Sequence, residues 1–230
     1  MSTHQHRARA KAQPGVLWRM ASTPLPTQWG MFEAIGFERD HSSGGQTVET
    51  ALALVRGDPR QGIPLLRVHS QCLTGEVFGS LRCDCGGQLR LAMQAIAKEG
   101  RGLVIYDYQE GRGIGLMAKL QAYELQDAGI DTIEANHALG FKSDLRDFSL
   151  AAAVLRDLGI PRVRLLTNNP RKVRALSDHG IEVAEWLPCE VGPTAHSLAY
   201  LRTKKQRLGH ALSLEIPECS IEARGIEAQL

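Results

Sequence analysis

The sequence predicts an α/β fold with a mixed sheet flanked by helices. Short branched and apolar runs alternate with segments of helical spacing from about residue 100 onward, which is typical of a sheet covered by helices. Glycine and proline mark where these segments end. With 230 residues, of which 43% are hydrophobic, the chain can bury the core of one medium-sized domain.

The first third of the chain predicts three strands. Residues 23–30 contain two prolines and are expected to form turns. Strands are predicted near residues 31–37 and over 47–56 and 63–69, where branched and apolar side chains suit a buried sheet. The third strand ends next to a cysteine-rich loop, so we expect that loop at the end of a buried strand.

The rest of the chain alternates helices with strands. Helical spacing closed by glycine or proline predicts helices over residues 88–98, 116–128, 147–158 and 171–179. Short apolar runs predict strands over residues 103–106, 163–167 and 181–186. The last twenty residues show little pattern and are expected to form a loose tail.

A basic tail accounts for the small net positive charge. Residues 1–15 contain Arg7, Arg9 and Lys11 and no acid, and the remainder holds 24 basic and 25 acidic residues. We expect this tail to be disordered. A nearly neutral body argues against a protein that coats nucleic acid, so bound anions must be held by local Arg and Lys clusters. No apolar run reaches transmembrane length, and we expect no membrane partner.

Three of the five cysteines, Cys72, Cys83 and Cys85, lie within fourteen residues. The odd count and uneven spacing do not suggest a disulfide framework, which favours a reducing cytoplasm. Such close spacing favours a metal site over isolated buried thiols, and thiolates favour zinc. Three ligands without an obvious fourth predict an open position for water, and therefore a hydrolytic site. Cys189 and Cys219 have no predicted role.

Two glycine- or asparagine-containing turns could hold phosphate. Residues 110–115 follow a strand and open a helix, so backbone amides and Arg112 could bind an anion. The glycine spacing matches neither a dinucleotide fingerprint nor a Walker loop, and a plain turn is equally consistent. Residues 167–172, which include Lys172, are either a second phosphate cradle or a well-formed turn.

Three further polar residues have ordinary explanations. Tyr123 lies seven residues after Leu116 on one helical stripe, where core packing with the hydroxyl at the rim would explain it. Asp144 and Arg146 precede a helix, where capping by the acid and a surface ion pair would explain both.

Eight segments together carry a specific resemblance that covers roughly residues 23–210: 67–75, 80–86, 109–112, 122–127, 131–137, 139–141, 144–148 and 164–170. In order and spacing they resemble GTP cyclohydrolase II, the zinc enzyme that opens riboflavin biosynthesis. The resemblance implies a three-layer architecture, a single catalytic domain over residues 16–210 and a C-terminal extension over 211–230. A domain for the companion riboflavin-pathway synthase is not expected, which predicts a stand-alone form.

The resemblance implies how the reaction would proceed. The three clustered cysteines would bind one zinc ion per subunit, with water in the fourth position as the nucleophile for C8 of guanine. Formate and pyrophosphate would leave, giving 2,5-diamino-6-hydroxy-4-(5-phosphoribosylamino)pyrimidine. Tyr123 would orient water or pass a proton. Arg146 would be the nucleophile toward the α-phosphorus with Asp144 as its proton acceptor, although electrostatic stabilisation by Arg146 is equally plausible because arginine stays protonated.

The resemblance also implies the substrate contacts and partners. GTP would be bound by Arg67, Val68, His69, Ser70, Gln71, Gln88, Glu110, Gly111, Arg112, Thr132, Thr167 and Lys172. Mg²⁺ would accompany the triphosphate, and the enzyme would be a cytoplasmic homodimer. One departure is Gln71, where the family commonly has Glu; the missing charge could change the acidity of the zinc-bound water or the affinity for GTP.

Other functions remain open at the level of sequence. A paralogue with the same residues could feed GTP into another pathway of secondary metabolism. A non-catalytic GTP-binding sensor is disfavoured because it needs none of the ring-opening residues. A zinc-stapled nucleic-acid binder is disfavoured by the neutral body and the lack of interleaved aromatic residues.

Overall fold

The computed structural model describes residues 15–40 and 48–213. In these ranges the strands are β1 Leu17–Thr27, β2 Gly30–Asp40, β3 Val48–Arg56, β4 Leu65–Ser70, β5 Gly102–Asp107, β6 Arg162–Leu166 and β7 Glu182–Leu187. The helices are α1 Leu73–Glu76, α2 Cys85–Glu99, α3 Leu116–Asp127, α4 Thr132–Ala138, α5 Ser149–Asp157, α6 Pro170–Asp178 and α7 Leu198–Arg207. A 3₁₀ turn spans Glu110–Gly113. None of the helices described is long and apolar enough to cross a membrane.

The strands of the described part form one mixed sheet in the order β1-β2-β3-β5-β4-β6-β7. Pairing is antiparallel from β1 through β3 to β5 and parallel from β5 through β4 and β6 to β7. The predicted α/β class with a mixed sheet is therefore confirmed. Because β4, β5 and β6 are parallel, the loops that follow them meet at one edge of the sheet.

Side chains alternate between two apolar layers along the central strands. Leu66 and Leu103 face the layer formed with α5 and α6, whereas Leu65 and Val104 face the layer formed with α2. This alternation is the two-residue period of a strand buried on both faces. The result is a helix–sheet–helix arrangement, as the resemblance implied.

The prediction of turns over residues 23–30 is wrong for residues 23–27, which belong to strand β1. The prolines at 24 and 26 belong to β1, opposite Glu33 and Met31 of β2. Strand β1 is at the edge of the sheet, where a proline can sit with its missing N–H on the unpaired side. Helices α1, α4 and α7 are not expected from the sequence, because they are too short or too polar to show an apolar stripe.

The other predicted elements are present with shifted ends. The shift that matters for the site is at the start of α2, which begins at Cys85 instead of the predicted residue 88. The third clustered cysteine is therefore fixed by the first turn of a helix. The predicted basic tail, most of the C-terminal extension and Cys219 lie outside the described residues, and the domain limits stay a prediction.

Candidate active site

Cys72, Cys83 and Cys85 converge beyond the carboxyl end of β4. Cys72 follows the last residue of that strand by two positions, and Cys85 is the first residue of α2. The three sulfur atoms lie within 4.8 Å of one another, and those of Cys72 and Cys83 are 3.6 Å apart. Sulfurs on a tetrahedral zinc ion with bonds of about 2.3 Å are separated by about 3.8 Å. The cluster therefore fits a zinc ion.

Negative charge in this cluster is concentrated on Cys72. Hydrogen bonds with the other two thiols lower the pKa of Cys72 far below its usual range. The hydrogen bond to Cys72 in turn raises the pKa of Cys83 to about 11, and contacts with both neighbours raise the pKa of Cys85 well above normal. Without a metal ion, only one of the three thiols readily loses its proton. A cation bound between the sulfurs would allow all three to be thiolates, because a coordinating thiol is deprotonated.

Lys119 connects the cysteine cluster to the glycine-rich turn. Its Nζ donates to Sγ of Cys72 at 3.2 Å, to Oγ1 of Thr74 at 2.9 Å and to Oε1 of Glu110 at 2.8 Å. The other Glu110 oxygen accepts from the backbone N–H of Leu73 at 2.7 Å. Burial alone would lower the pKa of Lys119, but Glu110 and Cys72 raise it above its ordinary value. Lys119 is therefore a buried cation next to a sulfur ligand.

Two glycines bring backbone against the cluster. A Cβ at Gly75 would lie 2.9 Å from Sγ of Cys83 and 3.3 Å from Sγ of Cys72. A Cβ at Gly86 would lie 2.3 Å from the carbonyl oxygen of Gly75, which is closer than real Cβ atoms come to oxygen. The three sulfurs can converge because neither position carries a side chain.

The cysteines open onto a cavity that we call the thiol pocket. It is defined by the lining residues Cys72, Cys83, Cys85, Lys119 and Tyr123. The Arg82 guanidinium lies 4.9 Å from the centre of the Tyr123 ring and is held by Asp127 at 2.8 Å. Burial raises the pKa of Tyr123, which keeps the phenol protonated at neutral pH. The pocket thus places a proton donor in the same cavity as the thiols.

The glycine-rich turn presents Arg112 to the same cavity. Among the described residues, Arg112 is the non-glycine residue with a positive φ, at 61°. Its Nη2 is buried without a hydrogen-bond partner, and its guanidinium lies 5.4 Å from the centre of the Tyr200 ring. A strained backbone and an unpaired buried donor at one residue indicate a site for an anion.

A second cavity adjoins the first, and we call it the cationic pocket. It is defined by the lining residues Arg67, Arg146, Lys172, Lys204 and His210. Its lining residues include no Asp or Glu. Five residues line both cavities: Ser70, Cys85, Arg112, Arg146 and Tyr200. The two pockets therefore share a wall, and a ligand could extend from one into the other.

A buried hydrogen-bonded chain supports the wall of the cationic pocket. Arg67 donates to Oε1 of Gln88 at 2.7 Å, and Nε2 of Gln88 donates to Asp84 at 2.7 Å. Asp84 also accepts from Lys204 at 2.7 Å, across 120 positions of sequence. Arg67 Nε lies 3.4 Å from Nδ1 of His69. These contacts fix the cations before any ligand arrives.

His69 continues this chain toward α1. Its Nε2 is 2.8 Å from Oε1 of Glu76, whose other oxygen accepts from the Tyr106 hydroxyl. The His69 and Tyr106 rings stack at 5.8 Å between centroids. Burial lowers the pKa of His69 to about 4, so the imidazole is neutral at pH 7.

Asp144 and Arg146 form a two-point ion pair. The guanidinium donates from Nε at 2.9 Å and from Nη2 at 2.8 Å, and Arg171 contacts the same carboxylate at 2.7 Å. Burial alone would raise the pKa of Asp144, but the hydrogen bonds from Arg146 hold it below its ordinary value. Burial likewise disfavours charge on Arg146, yet the Asp144 contacts raise its pKa. Asp144 is therefore a weak base in this arrangement.

Lys172, on α6, donates to the carbonyl oxygen of Val68 at 2.8 Å. Burial, together with the charges of Arg67 and Arg146, lowers the pKa of Lys172 well below its ordinary value. The cations of this pocket therefore repel one another, and an anionic ligand would relieve that repulsion.

A family model described as GTP cyclohydrolase II matches residues 18–188 of this chain. The chain belongs to the GTP cyclohydrolase II family. The resemblance found in the sequence is thus confirmed, together with the enzyme class that it implied.

Two curated proteins illustrate this similarity, and one solved structure gives a weaker structural match. GTP cyclohydrolase-2 from Shewanella amazonensis is 52% identical over 197 residues, which cover 85% of this chain and 94% of that protein. Riboflavin biosynthesis protein RibBA from Bacillus mycoides is 50% identical over 197 residues, and the match spans 48% of its length. RibBX from A. baumannii, described as a two-domain 3,4-dihydroxy-2-butanone 4-phosphate synthase, aligns at 20% identity and a TM-score of 0.43 over 76% of this chain and 40% of that chain.

GTP cyclohydrolase II enzymes are zinc-dependent, and the three-thiol cluster offers the soft ligands that zinc prefers. Most residues that the family resemblance implied line one of the two pockets: Arg67, His69, Ser70, Gln71, Gln88, Glu110, Gly111, Arg112, Tyr123, Arg146, Thr167 and Lys172. Asp144 stands behind Arg146.

Two residues that the GTP cyclohydrolase II resemblance implied as GTP contacts do not line either pocket with a described side chain. The Val68 side chain is buried in the apolar layer with α5 and α6, so only its carbonyl faces the site, where it holds Lys172. Thr132 is the first residue of α4, and its side chain lies outside the described part of the molecule.

Sequence reasoning missed several residues that line the pockets, among them Lys119, Tyr200, Lys204 and His210. Lys119 is four positions before Tyr123 on α3, and this spacing places both on one helix face. Tyr200 and Lys204 have the same spacing on α7. This four-residue spacing could have indicated that the members of each pair lie on one helix face. The sequence of the helix alone does not indicate which of its faces meets the site.

Proposed function

We propose that this protein hydrolyses GTP to formate, pyrophosphate and 2,5-diamino-6-hydroxy-4-(5-phosphoribosylamino)pyrimidine, in the first step of riboflavin biosynthesis. The observation that carries the proposal is the shared wall between a three-thiol pocket and a pocket without carboxylates. Guanine would lie beside the thiols while the triphosphate occupies the cationic pocket. This orientation places the ring to be opened and the phosphates to be released at opposite ends of one site.

Cys72, Cys83 and Cys85 would hold the zinc ion in this proposal. When bound, zinc supplies the Lewis acidity that makes water a nucleophile near neutral pH. Tyr123 would donate a proton within the thiol pocket, since burial keeps its phenol protonated. Gln71 also lines this pocket, and its neutral amide can hydrogen-bond either the guanine edge or water.

The cationic pocket would bind the triphosphate through Arg112, Arg146 and Lys172. We assign Arg146 an electrostatic role instead of a nucleophilic one. Its guanidinium is held at two points by Asp144, and the low pKa of Asp144 makes it a poor acceptor for an arginine proton. A nucleotide adduct on Arg146, detected by intact-protein mass spectrometry during turnover, would overturn this assignment.

Mg²⁺ is proposed to accompany the triphosphate. The residues lining the cationic pocket contain no carboxylate, so phosphate oxygens and water would supply most of its ligands. We further propose a cytoplasmic homodimer. The apolar side chains of Val77, Phe78 and Leu81 are 67%, 74% and 55% exposed, and such a patch suits a protein interface. Light scattering coupled to size-exclusion chromatography tests the subunit number.

The function is tested by incubating purified, zinc-loaded protein with GTP and Mg²⁺ and analysing the products by mass spectrometry. We expect formate, pyrophosphate and the diaminopyrimidine in equal amounts. Binding of GTP without any product would indicate a nucleotide sensor. A formylated product that accumulates would mean that ring opening stops after the first hydrolysis. Either outcome would contradict the proposed reaction.

A further inference from the structure

Helix α7 forms part of the cationic pocket, although the sequence places no site residue beyond Lys172. Tyr200 and Lys204 both line this pocket from one face of the helix. Leu201, next to Tyr200 on the helix, is fully buried, so the helix is packed against the body of the protein. Lys204 is anchored by its ion pair with Asp84, which leaves two of its three N–H donors for other partners.

The segment after α7 returns over the same pocket. The backbone N–H of His210 donates to the carbonyl oxygen of Lys204 at 3.0 Å, and that of Ala211 donates to Asn168 at 2.9 Å. Ser213 then bonds to Glu190 through both its N–H and its hydroxyl at 2.9 Å. These contacts hold the His210 side chain at the cavity, beside the turn that follows β6.

The charged groups around α7 favour the binding of a polyanion. Burial, followed by the charges of Lys204 and Arg146, lowers the pKa of His210 to about 2. Tyr200 lies between two cations, with the Lys204 ammonium 4.9 Å and the Arg112 guanidinium 5.4 Å from its ring centre. The buried Nη2 of Arg112 has no hydrogen-bond partner. A single phosphate would satisfy few of these groups, whereas a chain of phosphates could reach several.

We propose that α7 and the segment after it complete a polyphosphate site, in which Lys204 and His210 bind the terminal phosphates of a nucleoside triphosphate. Tyr200 acts as a positioning residue, because its ring stands between Arg112 and Lys204 and lines both pockets. The identity of the nucleotide rests on the proposed function, but recognition of the polyphosphate does not. The C-terminal part of the domain thus determines how strongly the leaving pyrophosphate is held.

The test measures binding of inorganic triphosphate, GTP and GMP by calorimetry to the wild-type protein and to variants. Lys204→Met should weaken triphosphate and GTP binding by about ten- to a hundredfold, the range for a lost charge-assisted hydrogen bond. GMP binding should change by less than about twofold, since GMP lacks the terminal phosphates. His210→Gln should weaken triphosphate binding by a smaller factor. Lys205→Met, an exposed neighbour on the same helix, serves as the matched control.

A second variant separates binding from folding. Removing Lys204 alone leaves Asp84 buried without its ion pair, so Lys204→Met is also combined with Asp84→Asn to remove both charges. The double variant should unfold at a temperature close to that of the wild type and still bind triphosphate weakly. Equal loss of GMP and triphosphate affinity would indicate a purely structural helix and overturn the inference, as would unchanged triphosphate affinity.

The outcomes also separate this inference from the proposed function. If the wild type binds triphosphate, Lys204→Met does not, and GTP yields no formate, then the polyphosphate site stands and the proposed reaction fails. If GTP yields formate but Lys204→Met alters neither triphosphate affinity nor the KM for GTP, the reaction stands and the polyphosphate site fails.

Discussion

The thiol pocket and the cationic pocket differ in the sign of the charge that they concentrate. In the thiol pocket, negative sulfur is balanced by the buried ammonium of Lys119, which also bonds Glu110. In the cationic pocket, Arg67, Arg146 and Lys172 lie close together, and the carboxylate that pairs with Arg146, Asp144, is not among the lining residues. The first pocket is suited to a cation held among thiols, and the second to an anion that arrives with the substrate.

The difference teaches how one site can separate two reactions. A nucleotide that spans the shared wall has its base in a pocket with proton donors and its phosphates in one that neutralises charge. Changes at residues that line only one pocket, such as Cys83 and Tyr123, should therefore affect that pocket more than the other. The following predictions test that separation.

The largest expected effect comes from removing a sulfur ligand. Cys83→Ser should abolish zinc binding and reduce formate release to background, because Cys83 lines only the thiol pocket. Triphosphate affinity should stay within about twofold of the wild type. Metal analysis and calorimetry provide the measurements. Cys189→Ser, a buried cysteine outside the cluster, should keep one zinc per chain. Loss of triphosphate binding in Cys83→Ser would show that the pockets are not independent.

Tyr123→Phe should lower the rate of ring opening by about a hundredfold or more, the usual contribution of a positioned proton donor. Pyrophosphate release should be less affected, because Tyr123 lines the thiol pocket and not the cationic one. Formate and pyrophosphate are measured in the same reaction. Tyr108→Phe, which removes a hydroxyl that lines neither pocket, is the control. Equal losses of both products would contradict the separation.

Lys119→Met should weaken zinc binding by about ten- to a hundredfold, the usual effect of removing a group that bonds a metal ligand. The physical reason is the loss of the ammonium 3.2 Å from Sγ of Cys72. Competition with a chelator measures the affinity, and Co²⁺ absorption reports the thiolate ligands directly. Lys142→Met at the surface is the control. An unchanged zinc affinity would mean that Lys119 serves only to hold Glu110.

The smallest effect concerns the stability of the fold with pH. The pKa of His69 is about 4 in the folded protein and 6.5 in the unfolded chain, so the unfolded chain binds the proton more readily. The free energy of unfolding should therefore fall as the pH drops from 6.5 toward 4, by about 1 kcal/mol between pH 7 and pH 5.5. His69→Gln cannot be protonated and should lack this contribution.

Urea unfolding of both proteins at pH 7 and pH 5.5 gives the required comparison. Burial raises the pKa of Asp107 to about 6, which has the opposite effect on stability, but this contribution is common to both proteins and cancels. The same pH dependence in the wild type and in His69→Gln would show that His69 is not the group responsible.

The two pockets also differ in how far the sequence predicts them. Close spacing alone indicated that Cys72, Cys83 and Cys85 form one cluster, because fourteen residues leave little freedom. The period of a strand could also have shown that Val68 faces away from Arg67 and His69. By contrast, Lys204 reaches Asp84 only through the packing of a polar helix from the far end of the chain. No local pattern contains that contact.

Edge strand β1 is a case in which the local sequence predicts the wrong structure. Pro24 and Pro26 locally favour turns, yet they lie in β1 because pairing with β2 on one side leaves the other side free. Local propensity was overruled by a position in the sheet that the segment itself does not encode.

The closeness of Gly75 to the sulfurs, and of Gly86 to the backbone of Gly75, limits how this centre could be transplanted. Copying three cysteines with their spacing onto another scaffold would reproduce the ligands but not the room between them. A designer would also have to graft the two bare backbone positions that let a helix start and a short turn touch. The transferable unit is therefore a piece of main chain as much as a set of thiols.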